Sequence, residues 1–165
     1  MNKINLSILF IAISSFLFAQ NKNNVKSYLN KKAPNLVYGK WISEKPELEG
    51  KFILIDFWAT TCSPCRANIP ELNSIQERFK EKLVVIGLSF EPENKIKQMK
   101  TPIIKYSLST DIHFNTLREM KLRNIPYVLL IDPSGYVRWE GLPIYIKHRL
   151  TEKVISDIIN KYQTK

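Results

Sequence analysis

"KFILIDFWATTCSPCRANIP", residues 51–70, changes rhythm halfway along. Lys51 to Ala59 is a nearly continuous apolar run with β-branched and aromatic residues, and it reads as a buried central strand. From Ser63 to Lys80 the spacing turns helical. Ala67, Leu72, Ile75 and Phe79 keep one face apolar, while Glu71, Gln76, Glu77 and Arg78 fall largely elsewhere. At the junction stand Cys62 and Cys65, the two cysteines of the chain. They could form a structural bridge, half of a metal site, or a reactive pair that exchanges electrons.

The neighbouring stretches extend this pattern. "KLVVIGLSF", residues 82–90, is a second buried strand, so strand, helix and strand make a βαβ unit with parallel strands. "EPENKIKQMKTPIIKY" reads as a helix starting near Pro92, and "DIHFNTLREMKL" as another short helix. Tyr127–Ile131 and Tyr136–Glu140 then flank Asp132-Pro133-Ser134-Gly135, residues that suit a type I turn and so an antiparallel hairpin. "LTEKVISDIINKYQ" closes the chain as an amphipathic helix with Thr151 as N-cap. A βαβ half and a ββα half predict an α/β fold: a central mixed β-sheet with helices on both faces.

The N-terminal end has another character. In "MNKINLSILFIAISSFLFAQ", Lys3 precedes an apolar run from Leu6 to Phe18, with the small Ala19 at a cleavage point. That pattern predicts a secretory signal peptide over 1–19; the run is short for a membrane span, and the alternative is an uncleaved anchor. Residues 20–32, polar and basic, are expected to be a flexible lead-in that becomes ordered only near Ala33-Pro34. The remainder, 33–165, is one domain of ordinary size. The net charge is +10, but Lys and Arg are spread along the chain rather than clustered with aromatics, so no nucleic-acid face is expected.

Export bears on the cysteines, because disulfides persist outside the cytoplasm. A bridge between positions 62 and 65 closes a tiny loop and removes little unfolded-state entropy, so a structural staple is a weak reading. Two thiolates could hold a soft metal such as copper. A closed zinc site wants four ligands, and His113 and His148 are not paired with others at short spacing, so no metal is expected. As a redox pair the residues are well placed. Cys62 follows a strand and begins a helix, where unpaired N–H groups and the positive dipole end stabilise a thiolate. Pro64 sits in the first turn, where its missing N–H costs nothing. Cys62 is then the exposed attacking residue and Cys65, one turn in, the resolving one.

The arrangement resembles the thioredoxin superfamily, and within it the exported thioredoxin-like reductases of the TlpA/ResA type. The resemblance runs from about Ala33 to the C-terminus. It rests on "DFWATTCSPC", on Pro70 five residues after Cys65, on "RNIPYVLLIDPSG", and on the opening "APNL…GKFILIDFWA". It implies a thioredoxin-like fold and a thiol–disulfide oxidoreductase that needs no cofactor. It implies a cis bond at Ile125-Pro126, with Pro126 beside the cysteines and Ile125 offering its backbone to an extended substrate. Trp58 is expected to be partly core and also to flank the docking surface, with Ser63 and Pro64 at the substrate side. Asp56, a carboxylate in an apolar strand, has its pKa raised by burial and becomes the proton acceptor for Cys65.

Two positions, and the dipeptide Ser63-Pro64 where thioredoxins carry Gly-Pro, depart from the family pattern; a third residue, Ala59, separates the chain from peroxiredoxins. Gly87 stands where thioredoxins carry a lysine that partners the buried Asp. Asn68 stands where some exported members have a glutamate, with Glu91 as a possible substitute. Ala59 replaces the threonine that peroxiredoxins place three residues before their reactive cysteine, which sets that class aside. The expected function is reduction of disulfide-containing proteins in the periplasm, by a monomer re-reduced by a membrane-bound donor; reduction of apocytochrome c cysteines is one role known in that branch. The alternatives are a disulfide oxidant or isomerase, and a copper-binding module.

Overall fold

A computed structural model of the protein describes residues 25–163. The expected signal segment, 1–19, lies outside the described residues, as do residues 20–24 of the lead-in. Ten elements follow Lys51: β1 Phe52–Trp58, α1 Ser63–Phe79, β2 Leu83–Ser89, α2 Glu93–Gln98, β3 Ser107–Thr110, α3 Asn115–Met120, β4 Tyr127–Ile131, β5 Val137–Gly141, a 3-10 turn Ile146–His148, and α4 Glu152–Tyr162. The five strands form one sheet in the order β3-β2-β1-β4-β5. β1 is parallel to β2, β2 is parallel to β3, and β4 is antiparallel to both β1 and β5. The sheet is mixed and thioredoxin-like, and β1 occupies its centre.

Strand alternation divides the core into two layers. Phe52, Leu54, Val85, Val128, Leu130 and Trp139 point to one face, where Ile69, Leu72 and Ile75 of α1 and Ile155 and Ile159 of α4 cover them. Ile55, Phe57, Ile86, Leu88, Leu129 and Ile131 point to the other, against Met120 of α3 and Leu122. Thr151 caps α4 by accepting the Val154 N–H at 3.3 Å. The hairpin turn closes with the Gly135 N–H on the Asp132 carbonyl at 2.8 Å, and Gly135 takes φ +81°, which a residue with a Cβ adopts at a cost.

Two expectations need correction. The segment after Pro92 does not stay helical: α2 stops at Gln98, the Thr101–Pro102 bond is cis, and Ser107–Thr110 form a strand. Proline cannot donate a helix hydrogen bond and steers the preceding residue away from helix. "SLST" is short and polar, so nothing in its composition announces a strand.

The lead-in is also ordered earlier than expected. From Val25 it lies along the edge of β5: the Asn30 N–H donates to the Val137 carbonyl at 2.8 Å, and the Val137 N–H donates to Lys31 at 2.9 Å. Tyr28 is buried, its N–H donating to the Glu140 carboxylate at 2.8 Å. The chain then passes α3, where the Val37 N–H meets the Thr116 hydroxyl at 3.0 Å. It ends on the opposite edge, with the Ile42 N–H on Leu108 and the Thr110 N–H on Lys40. One strap therefore covers both open edges of the sheet, which would otherwise present unpaired backbone groups. Edge hydrogen bonds and the packing of Val25, Tyr28, Ala33, Leu36, Tyr38 and Trp41 against the core order it, without a periodic apolar pattern.

Tyr28→Ala is expected to lower stability by about 3 kcal/mol, the usual cost of truncating a buried aromatic. The guanidinium unfolding midpoint measures this; an unchanged midpoint would mean the strap adds nothing.

Candidate active site

β1 runs through the middle of the sheet and delivers the chain to a turn at Ala59–Cys62, closed by the Cys62 N–H on the Ala59 carbonyl at 3.1 Å. Cys62 is the N-cap of α1, with extended backbone, and its Sγ accepts the Cys65 N–H at 3.2 Å. The first turn of α1 holds no acidic residue. Backbone N–H groups therefore face the sulfur with no carboxylate in that turn opposing them, the setting that favours a thiolate. Cys62 and Cys65 are joined as a disulfide, with Cα atoms 5.2 Å apart. Cys62 is half-buried, Cys65 is fully buried, and Ser63 and Pro64 are exposed at the helix tip between them.

Around the pair the fold gathers residues from distant stretches. Trp58, Cys65 and Ile96 of α2 form an apolar cluster, with Cys62, Ile42 and Ile125 packed against it. The Ile125–Pro126 bond is cis, Pro126 is buried, and Ile125 is half-exposed. Trp58, expected to be partly core, is 0% exposed and packs wholly into the cluster with Cys65 and Ile96. Its position on β1, with Cys65 and Ile96 above, forces the indole inward. Ile96 and Ile42 escaped the sequence reading, because apolar residues in short irregular segments carry no periodic signal.

Glu91 proves to be a clamp. Its carboxylate accepts the Thr60 N–H at 2.6 Å and the Thr60 hydroxyl at 3.0 Å, and pairs with Lys95 at 2.6 Å. Burial pushes its pKa up, but Lys95 and Thr60 together hold it below the usual carboxylate value. An acid held ionised and engaged on both oxygens is a poor proton acceptor; it fixes the turn that carries Cys62. Asn68 is buried on α1, three residues beyond Cys65, and its side-chain NH₂ group finds no partner.

Asp56 is buried at 1% exposure on the α1 face of the sheet, paired in register with Gly87 on β2 and Val128 on β4. Neither carboxylate oxygen has a hydrogen-bond partner of ordinary geometry. Burial raises its pKa from 3.8 to about 7, opposed by the Tyr106 hydroxyl that faces it. Tyr106, absent from the sequence reading, enters from the loop before β3. Among the described residues no group of three or more His, Cys, Asp or Glu converges as metal ligands; the exposed His148 stacks on Trp139, ring centroids 5.0 Å apart.

Comparison with known proteins agrees with this geometry. The model of the AhpC/TSA family matches residues 29–140. The chain is 33% identical over 119 residues to the thiol-disulfide oxidoreductase ResA of Bacillus cereus, covering 68% of each. It is 29% identical over 121 residues to the thioredoxin-like protein YneN of Bacillus subtilis, covering 71% of this chain and 69% of that one. A thiol-disulfide isomerase from Corynebacterium glutamicum superposes with a TM-score of 0.61 at 16% identity, covering 87% of this chain and 99% of the other, a likeness of fold.

The raised Asp56 pKa sets a direction for stability. Between about pH 4 and pH 7 the folded protein holds a proton on Asp56 that the unfolded chain has lost, so stability falls as pH rises through that window. The fall attributable to Asp56 is about 4 kcal/mol. Denaturation of the disulfide form across this range should show the slope in the wild type and its loss in Asp56→Asn; equal slopes would refute it.

Proposed function

Because the chain belongs to the AhpC/TSA family and is a thioredoxin-like thiol–disulfide oxidoreductase, we propose that it is an exported reductase of protein disulfides. The observation that carries this reading is the Cys62–Cys65 bridge, with its first sulfur at a helix N-terminus and its second buried beneath. In the working cycle the Cys62 thiolate attacks one sulfur of a partner disulfide. A mixed disulfide forms, and the partner's other sulfur leaves and takes a proton. Cys65 gives its proton to the Asp56 carboxylate and attacks the Cys62 sulfur, releasing the second partner thiol. Two electrons pass to the partner, and the chain ends as the Cys62–Cys65 disulfide.

The half-exposed Ile125, preceding a cis proline and packed beside the cysteines, is suited to present its backbone to an extended partner segment. Ser63 and Pro64, exposed at the helix tip, border the same place. The signal pattern at the N-terminus supports action outside the cytoplasm, where each turnover requires re-reduction, in this reading by a membrane-bound donor. Among the described residues no helix is long and apolar enough to cross a membrane.

Cys65→Ser, expressed with its N-terminal segment, is expected to hold partner proteins on Cys62 as mixed disulfides, whereas Cys62→Ser holds none. The wild type is expected to reduce insulin with dithiothreitol; failure of both assays would overturn the reading. Direction is read in a glutathione buffer. A reductase gives its electrons to the buffer and stands mostly as the disulfide, while a pair found mostly reduced would assign the oxidant role. Asp56→Asn is expected to slow the resolving step about 100-fold near neutral pH, the usual worth of a positioned base; an unchanged rate would remove Asp56 from the mechanism.

A further inference from the structure

Gly87 is the one residue of β2 without a side chain, and it sits directly across from Asp56. The space it leaves is filled. A Cβ at position 87 would lie 2.7 Å from Leu108 Cδ2, 2.9 Å from Trp58 Nε1 and 3.1 Å from Tyr106 Cε2. Leu108 of β3, Tyr106 just before it and Trp58 of β1 thus close in on the position across from Asp56. The Tyr106 hydroxyl and both Asp56 oxygens are buried, and none has a hydrogen-bond partner of ordinary geometry.

We propose that Tyr106 is a positioning residue for the proton transfer in the resolving step. Its hydroxyl, admitted by the missing side chain at Gly87, donates to the Asp56 carboxylate when that group is ionised. A buried carboxylate gains most from a donor when it carries charge, because no water is near to replace one. Among the described residues, Tyr106 is the titratable group that bears on Asp56. β2 offers Gly87 across from it and β4 offers Val128. Glu91 and Lys95 are engaged with each other and with Thr60.

Tyr106 itself keeps its proton. Burial, and then the charge and hydrogen bonding of Asp56, push its pKa well above the usual phenol value. It therefore acts only as a donor: Cys65 loses a proton, Asp56 gains it, and the phenol is unchanged. By favouring the ionised carboxylate it opposes the upward push of burial and keeps the acceptor available near neutral pH.

This inference rests on Asp56 being the acceptor, and the test separates the two claims. Tyr106→Phe keeps the buried ring and removes the hydroxyl. Reduced wild type and variant are mixed with an aromatic disulfide whose released thiol is coloured; the second release reports attack by Cys65. The Asp56 midpoint is followed independently by carboxyl NMR in the disulfide form. In Tyr106→Phe that midpoint is expected to rise, and the second release on the acid side of the wild-type midpoint to slow about fivefold. The first release should be unaltered, and Asp56→Asn/Tyr106→Phe should match Asp56→Asn alone. An unmoved Asp56 midpoint overturns the role of Tyr106, as does an equal loss in both phases without a shift in pH profile. If Asp56→Asn leaves the second release unchanged, the acceptor reading fails, and the NMR midpoint still decides whether Tyr106 holds Asp56.

Discussion

A sulfur atom at the first turn of a helix is the arrangement on which the molecule depends. Cys62 Sγ accepts a backbone N–H from Cys65, in place of a conventional Ser or Asp cap. For that contact to exist, β1 must end, turn and enter α1 within a few residues. The central position of β1, paired on both sides, holds the strand end still. Glu91 holds the next residue, Thr60, by two hydrogen bonds. The reactive group is thus supported by β1, by the clamped turn and by α1, and the site opens at Ser63 and Pro64.

The same central strand carries the structure's most costly feature. Asp56 puts a carboxylate in a layer otherwise made of Phe52, Leu54 and Trp58. A carboxylate in such a place is favoured neutral, and its pKa of about 7 lies where both protonation states are accessible. The protein gives up stability at neutral pH by keeping it there, a trade common at functional sites. Tyr106, folded back over Gly87, limits the cost by offering the carboxylate a donor.

A five-stranded sheet with β3 and β5 at its edges needs protection, and here one segment protects both. Residues 25–33 lie on β5 and residues 39–42 on β3, with α3 between them. This strap also brings Ile42 to the cluster under the cysteines. The N-terminal stretch therefore links edge protection to the shape of the site, through backbone hydrogen bonds and through apolar side chains packed on the core.

Packing between distant stretches marks the limit of what could be read in advance. β1, α1, β2, the hairpin and α4 were legible because the buried strands are continuous apolar runs, the helices repeat apolar residues at their own period, and Asp132–Gly135 is turn chemistry. The unequal exposure of Cys62 and Cys65 was legible too, since a strand-to-helix junction places one sulfur at the tip and the other a turn inside. β3 and the strap carried no such signal: β3 is short and polar, the apolar residues of the strap follow no period, and both are ordered by neighbours built from other parts of the chain. Burial of Trp58, the engagement of Glu91 and the meeting of Tyr106 with Asp56 belong to the same class. Each depends on which side chains converge from separate parts of the chain, and convergence is a property of packing that local periodicity does not encode.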